Sequence, residues 1–105
     1  MKKSTAAILF EKHLGELDIW FEREYRFHKT RKWRFDYVLS ASVAVEIEGA
    51  IWQQGRHTRG KGYQADLDKY NSATMLGWRV LRFSTQDILR GRAKAFLAEH
   101  LAVKP

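Results

Sequence analysis

Two short runs of alternating apolar side chains, each carrying acidic residues, constrain the fold of this chain more than any other feature. The first run, 32–39, contains Asp36, and the second, 43–48, contains Glu46 and Glu48. Both have the length and the β-branched or aromatic content of a strand. The link between them is so short that an antiparallel hairpin is favoured. Because side chains alternate along a strand, Glu46 and Glu48 are expected on the same face.

Carboxylates in such surroundings need compensation. Acidic groups crowded among Val, Ile and Phe lose hydration and repel one another, which costs several kcal/mol. A divalent metal is the simplest remedy, because hard cations bind carboxylate oxygens. The alternative is an edge hairpin whose acidic face is solvated, and from these residues alone the two interpretations are about equal. The hairpin therefore allows a metal-dependent hydrolase without requiring one.

The remaining periodicities place the hairpin within a larger sheet. They predict a helix over 4–17, a strand over 20–28, a helix over 65–76 ended by Gly77, a strand over 78–83, and a last helix capped by Ser84 or Thr85. Residues 49–64 have no periodicity and are expected to form a long loop. The order α-β-β-β-α-β-α predicts an α/β fold with a mixed central sheet flanked by helices on both sides.

Composition limits the class of protein. A chain of 105 residues predicts a single domain over 1–105. Its net charge of +7 favours a polyanionic partner such as nucleic acid. The lack of cysteine excludes disulfides, thiolate metal sites and a cysteine nucleophile, and it fits a reducing cytoplasm. No apolar run is long enough for a membrane span, and no secretion signal is evident, so we expect a cytoplasmic protein without membrane contact.

Five short segments between residues 20 and 84 carry a family resemblance. They are Trp33-Arg34-Phe35-Asp36, Val45-Glu46-Ile47-Glu48-Gly49, Gly55-Arg56-His57-Thr58-Arg59-Gly60, Asp68-Lys69-Tyr70-Asn71 and Leu76-Gly77-Trp78-Arg79-Val80-Leu81-Arg82-Phe83. Together they resemble small phage and prophage proteins of the PD-(D/E)XK nuclease superfamily, grouped with the VRR-NUC and very-short-patch-repair-like nucleases. The resemblance implies a restriction-endonuclease-like core and a DNA endonuclease that uses Mg²⁺ or Mn²⁺.

The resemblance also assigns roles to individual residues. Asp36 matches the superfamily's aspartate and Glu46 the first acid of its triplet, which makes both of them metal ligands. Glu48 stands where the triplet usually has lysine, and it becomes a third ligand or a general base. The missing lysine is then replaced by Lys69 from the following helix, or by Lys61 from the loop.

Other candidates surround these acids. Glu24 is expected to enter the site from the preceding strand, whereas Glu22 is expected to form a salt bridge with Arg34. His57 either contacts a phosphate or lies in a surface loop without a fixed partner. Phosphate contacts are predicted for Arg34, Arg56, Arg59 and Lys61, extended by Arg31 and Lys32. Aromatic side chains are divided between base stacking (Tyr63, Trp52) and core packing (Trp33, Trp78), and Arg79 and Arg82 are expected to be solvated or paired with carboxylates.

No segment resembles a module that reads DNA sequence. We therefore expect structure-selective cleavage of branched or Holliday-type DNA by a homodimer, with the apolar side of the last helix as its interface. Two alternatives remain. One is a nicking or repair nuclease of the same superfamily, and the other is a nucleic-acid-binding protein of this fold that has lost its chemistry together with the triplet lysine. A phage origin follows from the resemblance alone.

Overall fold

The computed structural model of the protein describes residues 3–49 and 61–101. Its helices and strands occur in an order that confirms the predicted one up to the last helix. They are α1 (Thr5–Glu16), β1 (Glu22–Arg26), β2 (Arg34–Val38), β3 (Val43–Glu48), α2 (Lys61–Met75), β4 (Arg79–Ser84), α3 (Thr85–Leu89) and α4 (Arg92–His100). None of the described helices is both long and apolar enough to cross a membrane.

The four strands form one mixed sheet in the order β1-β2-β3-β4. The first two pairings, β1 with β2 and β2 with β3, are antiparallel, so the predicted hairpin is confirmed. The pairing of β3 with β4 is parallel. A parallel pair needs a crossover between its strands, and α2 lies in that crossover.

Helices cover both faces of the sheet, as predicted. On one face α1, α3 and α4 bury Phe10, Ile88 and Leu97 completely against Val45 of β3. On the opposite face Ala73 of α2 packs against apolar residues of the neighbouring strands, namely Phe35, Val38 and Ala44. Alternate side chains of β3 therefore enter different cores, and the polar groups at its end are held between two packed layers.

The last helix differs from the prediction, because the structure divides it in two. Gly91 has a φ of +77° between α3 and α4. This left-handed conformation ends a helix, and glycine adopts it without the steric cost of a Cβ atom. The predicted cap is Ser84, whose Oγ accepts the Asp87 N–H at 3.0 Å while the Asp87 carboxylate accepts the Ser84 N–H at 2.9 Å.

Most of the apolar stripe that was predicted as a dimer interface is buried inside the chain by α3 and α4. Ile88, Ala93 and Leu97 are completely buried inside the chain. Only the flanking Leu89 and Phe96 remain 45% and 41% exposed in this part of the described chain. Ile88, Ala93 and Leu97 are therefore not available to a partner, and an interface on this side of the last helix stays a prediction that depends on Leu89 and Phe96.

The helix predicted over 65–76 is longer than predicted at its N-terminal end. α2 begins at Lys61, inside the predicted loop. Its first turn is exposed at Gly62, Tyr63 and Gln64, so no apolar periodicity marks it in the sequence. The predicted stop at Gly77, which has a φ of +90°, is confirmed.

Candidate active site

The ladder between β2 and β3 opens where the acids begin. Tyr37 and Val45 are the last registered pair on that side, and Asp36 and Glu46 follow them. Beyond this pair the acids serve as hydrogen-bond partners. The Asp36 N–H donates to Glu46 Oε2 at 2.8 Å, and the Ile47 N–H donates to Asp36 Oδ2 at 2.8 Å. The strands can separate here because side chains satisfy the backbone amides, and each carboxylate is held by an N–H of the opposite strand.

The surroundings of Asp36 disfavour its negative charge. Burial raises its pKa above the usual range, and the negative charges of Glu46 and Glu24 raise it further, against the N–H of Ile47, which lowers it. Its Oδ2 accepts that N–H, whereas Oδ1 accepts no hydrogen bond from any described residue. A half-buried carboxylate with one open oxygen among other acids is suited to a cation.

Glu46 is buried, with 8% exposure. Its Oε1 accepts hydrogen bonds from Lys69 Nζ and from the Tyr70 hydroxyl, both at 2.6 Å, and its Oε2 accepts the Asp36 N–H. A carboxylate has about four acceptor positions, so these bonds leave room for a further ligand. The structure thus brings Lys69, the lysine predicted to replace the triplet lysine, into direct contact with Glu46.

Glu48 lies on the α2 face of the sheet, the same face as Glu46, as the alternation of side chains predicts. Its partner is not one of those that Glu46 binds. Its carboxylate forms an ion pair with Arg82 of β4. Within 3–49 and 61–101 no group of three or more His, Cys, Asp or Glu side chains is arranged to hold a metal. The structure therefore joins Asp36 and Glu46 and directs Glu48 toward Arg82.

Glu24 reaches the same place from β1. It lies between Arg23 and Tyr25, which pair with the two neighbours of Asp36 on β2, and both Glu24 and Asp36 line a cleft of about 440 Å³. Its φ of +50° is left-handed, which costs a residue with a Cβ atom about 1–2 kcal/mol. Unfavourable backbone of this kind persists where the surrounding structure holds it, often at functional sites. The structure thus brings the predicted additional acid to the cleft that Asp36 lines.

Glu11 of α1 is a polar centre that the sequence reasoning missed. Arg23 donates to both of its oxygens at 2.7 Å, Lys3 donates at 2.9 Å and the Tyr37 hydroxyl at 2.8 Å. The bonds from Arg23 above all lower the pKa of Glu11 to about 2. Because Arg23, Lys3 and Tyr37 all line the cleft, Glu11 fixes one of its walls. No spacing in the sequence distinguishes this acid from others on a helix surface.

Tyr70 was missed for a different reason. Its position in α2 indicated an apolar helix face, yet its hydroxyl donates to Glu46 and its ring lies 4.7 Å from the guanidinium of Arg82. The only signal in the sequence was its place beside Lys69. A tyrosine is both apolar and polar, so periodicity alone does not show which part of it is used.

The predicted salt bridge between Glu22 and Arg34 was wrong. In the register of β1 and β2, Glu22 lies opposite Val38, and Arg34 lies opposite Arg26. The two residues therefore stand at opposite ends of the ladder, and the described residues include no ion pair of Glu22. Both side chains are exposed.

The predicted nucleic-acid contacts are only partly within the described residues. Arg31, Lys32 and Arg34 are exposed around the turn that joins β1 to β2, and Arg31 lies 5.0 Å from the ring of Trp33. Trp78 packs against the core of Phe35, Val38, Ala44 and Ala73, as predicted. Trp33 stacks on Phe27 but belongs to neither core cluster of the described residues, and Tyr63 is 49% exposed. Four candidates, together with the side chain of Lys61, lie outside the described residues: Trp52, Arg56, His57 and Arg59.

Comparison with known proteins gives one structural likeness. No protein-family model and no curated protein sequence matches the chain. Among solved structures, it is similar to the catalytic domain of the homing endonuclease I-Bth0305I, with a TM-score of 0.63 and 20% sequence identity, over 94% of this chain and 99% of that one. The chain therefore shares the fold of that catalytic domain. At this identity the likeness concerns the fold, and the restriction-endonuclease-like core expected from the sequence is confirmed.

Proposed function

We propose that this chain is a metal-dependent DNA endonuclease that hydrolyses phosphodiester bonds. One observation carries the proposal. Asp36 and Glu46 stand together where the hairpin opens, and Lys69 donates to Glu46 at 2.6 Å. Two acids and a lysine are the functional groups that the superfamily's motif requires. They occur here in a fold shared with a nuclease catalytic domain.

The acids fit a Mg²⁺ or Mn²⁺ ion. Mg²⁺ is commonly held by one or two carboxylates together with water and substrate phosphate. Asp36 Oδ1 and the remaining acceptor position of Glu46 would supply these contacts, and the Glu24 carboxylate at the cleft would add negative charge near the ion without being a ligand. When bound, such an ion polarises the scissile phosphate and makes a bound water more acidic.

The protein's own cations would complete the site. Lys69 is largely buried, with 16% of its side chain exposed, so its charge is weakly screened by water. It would orient Glu46 and stabilise the negative charge that develops on the phosphate. The exposed Arg31, Lys32 and Arg34 would bind flanking phosphates, which gives affinity without reading the base sequence.

The DNA substrate is proposed to be branched or Holliday-type. Phosphate contacts respond to the path of the backbone, and the basic turn between β1 and β2 offers such contacts. Cutting two strands requires two sites, so we propose that the active form is a homodimer. Light scattering would test this against the monomer mass of 12.3 kDa. Cleavage of one strand by a monomer would favour a nicking or repair nuclease instead.

The function is tested by incubating the purified protein with supercoiled plasmid, linear duplex and a synthetic four-way junction in Mg²⁺, Mn²⁺ or EDTA. We expect cleavage with either metal, fastest on the junction, and none in EDTA. Asp36→Asn should abolish it, whereas Asp66→Asn, an exposed acid on α2, should not. Tight binding of DNA without cleavage under any condition would refute the enzyme and support the inactive binding protein.

A further inference from the structure

A chain of side-chain contacts connects Glu48 to Glu46 through one other strand and one helix. The Glu48 carboxylate pairs with the Arg82 guanidinium on β4. That guanidinium lies 4.7 Å from the ring centroid of Tyr70 on α2, and the Tyr70 hydroxyl donates to Glu46 Oε1 at 2.6 Å. The contacts therefore leave β3 at Glu48 and return to it at Glu46.

The register of β3 and β4 shows that this arrangement is selective. Arg82 lies directly beside Glu46 in the parallel pairing, and Ser84 lies beside Glu48. Arg82 nevertheless pairs diagonally with Glu48, because Lys69 and Tyr70 already donate to Glu46. Glu46 thus avoids a direct arginine bond, which would compete with any metal for its oxygens.

Tyr70 is suited to fix the orientation of Glu46. Its hydroxyl donates to Glu46 Oε1 at 2.6 Å, so it holds one oxygen of that carboxylate in place. Two cations lie near its ring, Lys69 Nζ at 5.2 Å and the Arg82 guanidinium at 4.7 Å from the centroid. A cation over an aromatic face is attracted to it, which restricts the ring.

Arg82 in turn needs its acid. Half of its side chain is exposed, at 52%, and a long flexible side chain loses entropy when it is held in one place. The Glu48 carboxylate, 19% exposed, offsets this loss with a charged hydrogen bond. Without Glu48 the guanidinium would be free to move into solvent, and Tyr70 would lose the cation above its ring.

We propose that Glu48 and Arg82 are positioning residues that act through Tyr70 to hold Glu46 in the orientation needed to bind metal, and that Glu48 is not itself a ligand. The inference rests on the proposed function. It also gives a reason for an acid at the last triplet position. Lys69 approaches from α2 in place of the usual lysine, and Glu48 stabilises the neighbour of Lys69 on the same helix.

The test uses Glu48→Gln, Arg82→Met, Tyr70→Phe and the double variant Glu48→Gln with Tyr70→Phe. The Kd for Mn²⁺ is measured from the electron paramagnetic resonance signal of free Mn²⁺, and cleavage is measured at several Mg²⁺ concentrations. We expect each single variant to weaken Mn²⁺ binding and cleavage by about 10-fold, the usual scale for partners of metal ligands. The double variant should match Tyr70→Phe alone, because Glu48 acts through Tyr70.

A direct ligand would behave differently. Arg82→Met would release Glu48 and leave Mn²⁺ binding unchanged or tighter, and the losses from Glu48→Gln and Tyr70→Phe would multiply. Either result overturns the inference while wild-type cleavage still supports the enzyme. A wild type that neither binds Mn²⁺ nor cuts DNA overturns the proposed function instead. Arg79→Met, an exposed arginine on the same strand, serves as the control, and circular dichroism verifies that each variant folds. Arg82→Lys, which keeps the positive charge, should lose less Mn²⁺ binding and less cleavage than Arg82→Met.

Discussion

At the scale of single residues, the surroundings of each carboxylate separate acids that look alike in the sequence. Asp36 is half buried beside two other acids, whereas Glu11 is surrounded by Arg23, Lys3 and Tyr37. Burial and like charges raise the pKa of Asp36, and donors lower that of Glu11. One acid therefore opposes folding when it is ionised, and the other supports it.

Asp36→Asn should stabilise the protein at neutral pH while removing cleavage. The pKa of Asp36 is higher in the folded state than in the unfolded chain, so its ionised form lowers the free energy of unfolding above the folded pKa. That cost disappears as pH falls through the folded pKa. Urea denaturation should show a gain for the variant at pH 7 that shrinks in acid. Equal or lower stability at pH 7 would contradict the electrostatic account, and Asp66→Asn should change little.

Glu11→Gln should lower the free energy of unfolding by about 2 kcal/mol at pH 7, because bonds from charged donors to a carboxylate with 11% exposure are lost. The folded pKa of about 2 lies below the unfolded value of 4.5. The stabilisation is therefore complete above pH 4.5 and is lost as pH falls toward 2. The difference in the free energy of unfolding between wild type and Glu11→Gln should become smaller over that pH range, as urea denaturation would measure. Glu16→Gln, which like Glu11 lies in α1, removes an exposed ion pair with Lys94 of α4 and should have no measurable effect.

At the scale of helices and strands, one left-handed residue decides the C-terminal architecture. Gly91 separates α3 from α4, so that both Ile88 and Leu97 reach the core. The periodicity of the sequence predicted one continuous helix because it depends on apolar spacing and not on backbone angles. A glycine inside such a pattern is the signal that was available.

Substitution of two glycines by alanine should have opposite effects. Gly91→Ala places a Cβ atom at a φ of +77° and should destabilise the protein by about 1 kcal/mol. Gly15→Ala lies within α1 with open space around the new atom and should stabilise it by about 0.5 kcal/mol. Thermal unfolding of both variants would measure this. If Gly91→Ala left the stability unchanged, the division between α3 and α4 would not be fixed by the backbone of this residue.

At the scale of the whole molecule, the net charge of +7 should make DNA binding depend strongly on salt. Fluorescence anisotropy in EDTA should give an affinity that falls linearly with salt on logarithmic axes. Arg34→Gln, on the proposed DNA side, should reduce that slope by about one. Arg90→Gln carries the same charge change in the turn between α3 and α4 and should not. Equal slopes for the two variants would show that the charge acts diffusely and would reject a defined phosphate surface.

The sequence by itself determined the order of the strands and helices up to the last helix, the antiparallel hairpin and the acids within it. Those depend on periodicity and on local turns, which are properties of neighbouring residues. The tertiary structure decided which partner each acid meets. The deciding contacts are made between residues of different strands and helices. They are Glu46 with Tyr70, Glu48 with Arg82 and Glu11 with Arg23. Such contacts depend on strand register and helix packing, and no local pattern encodes them.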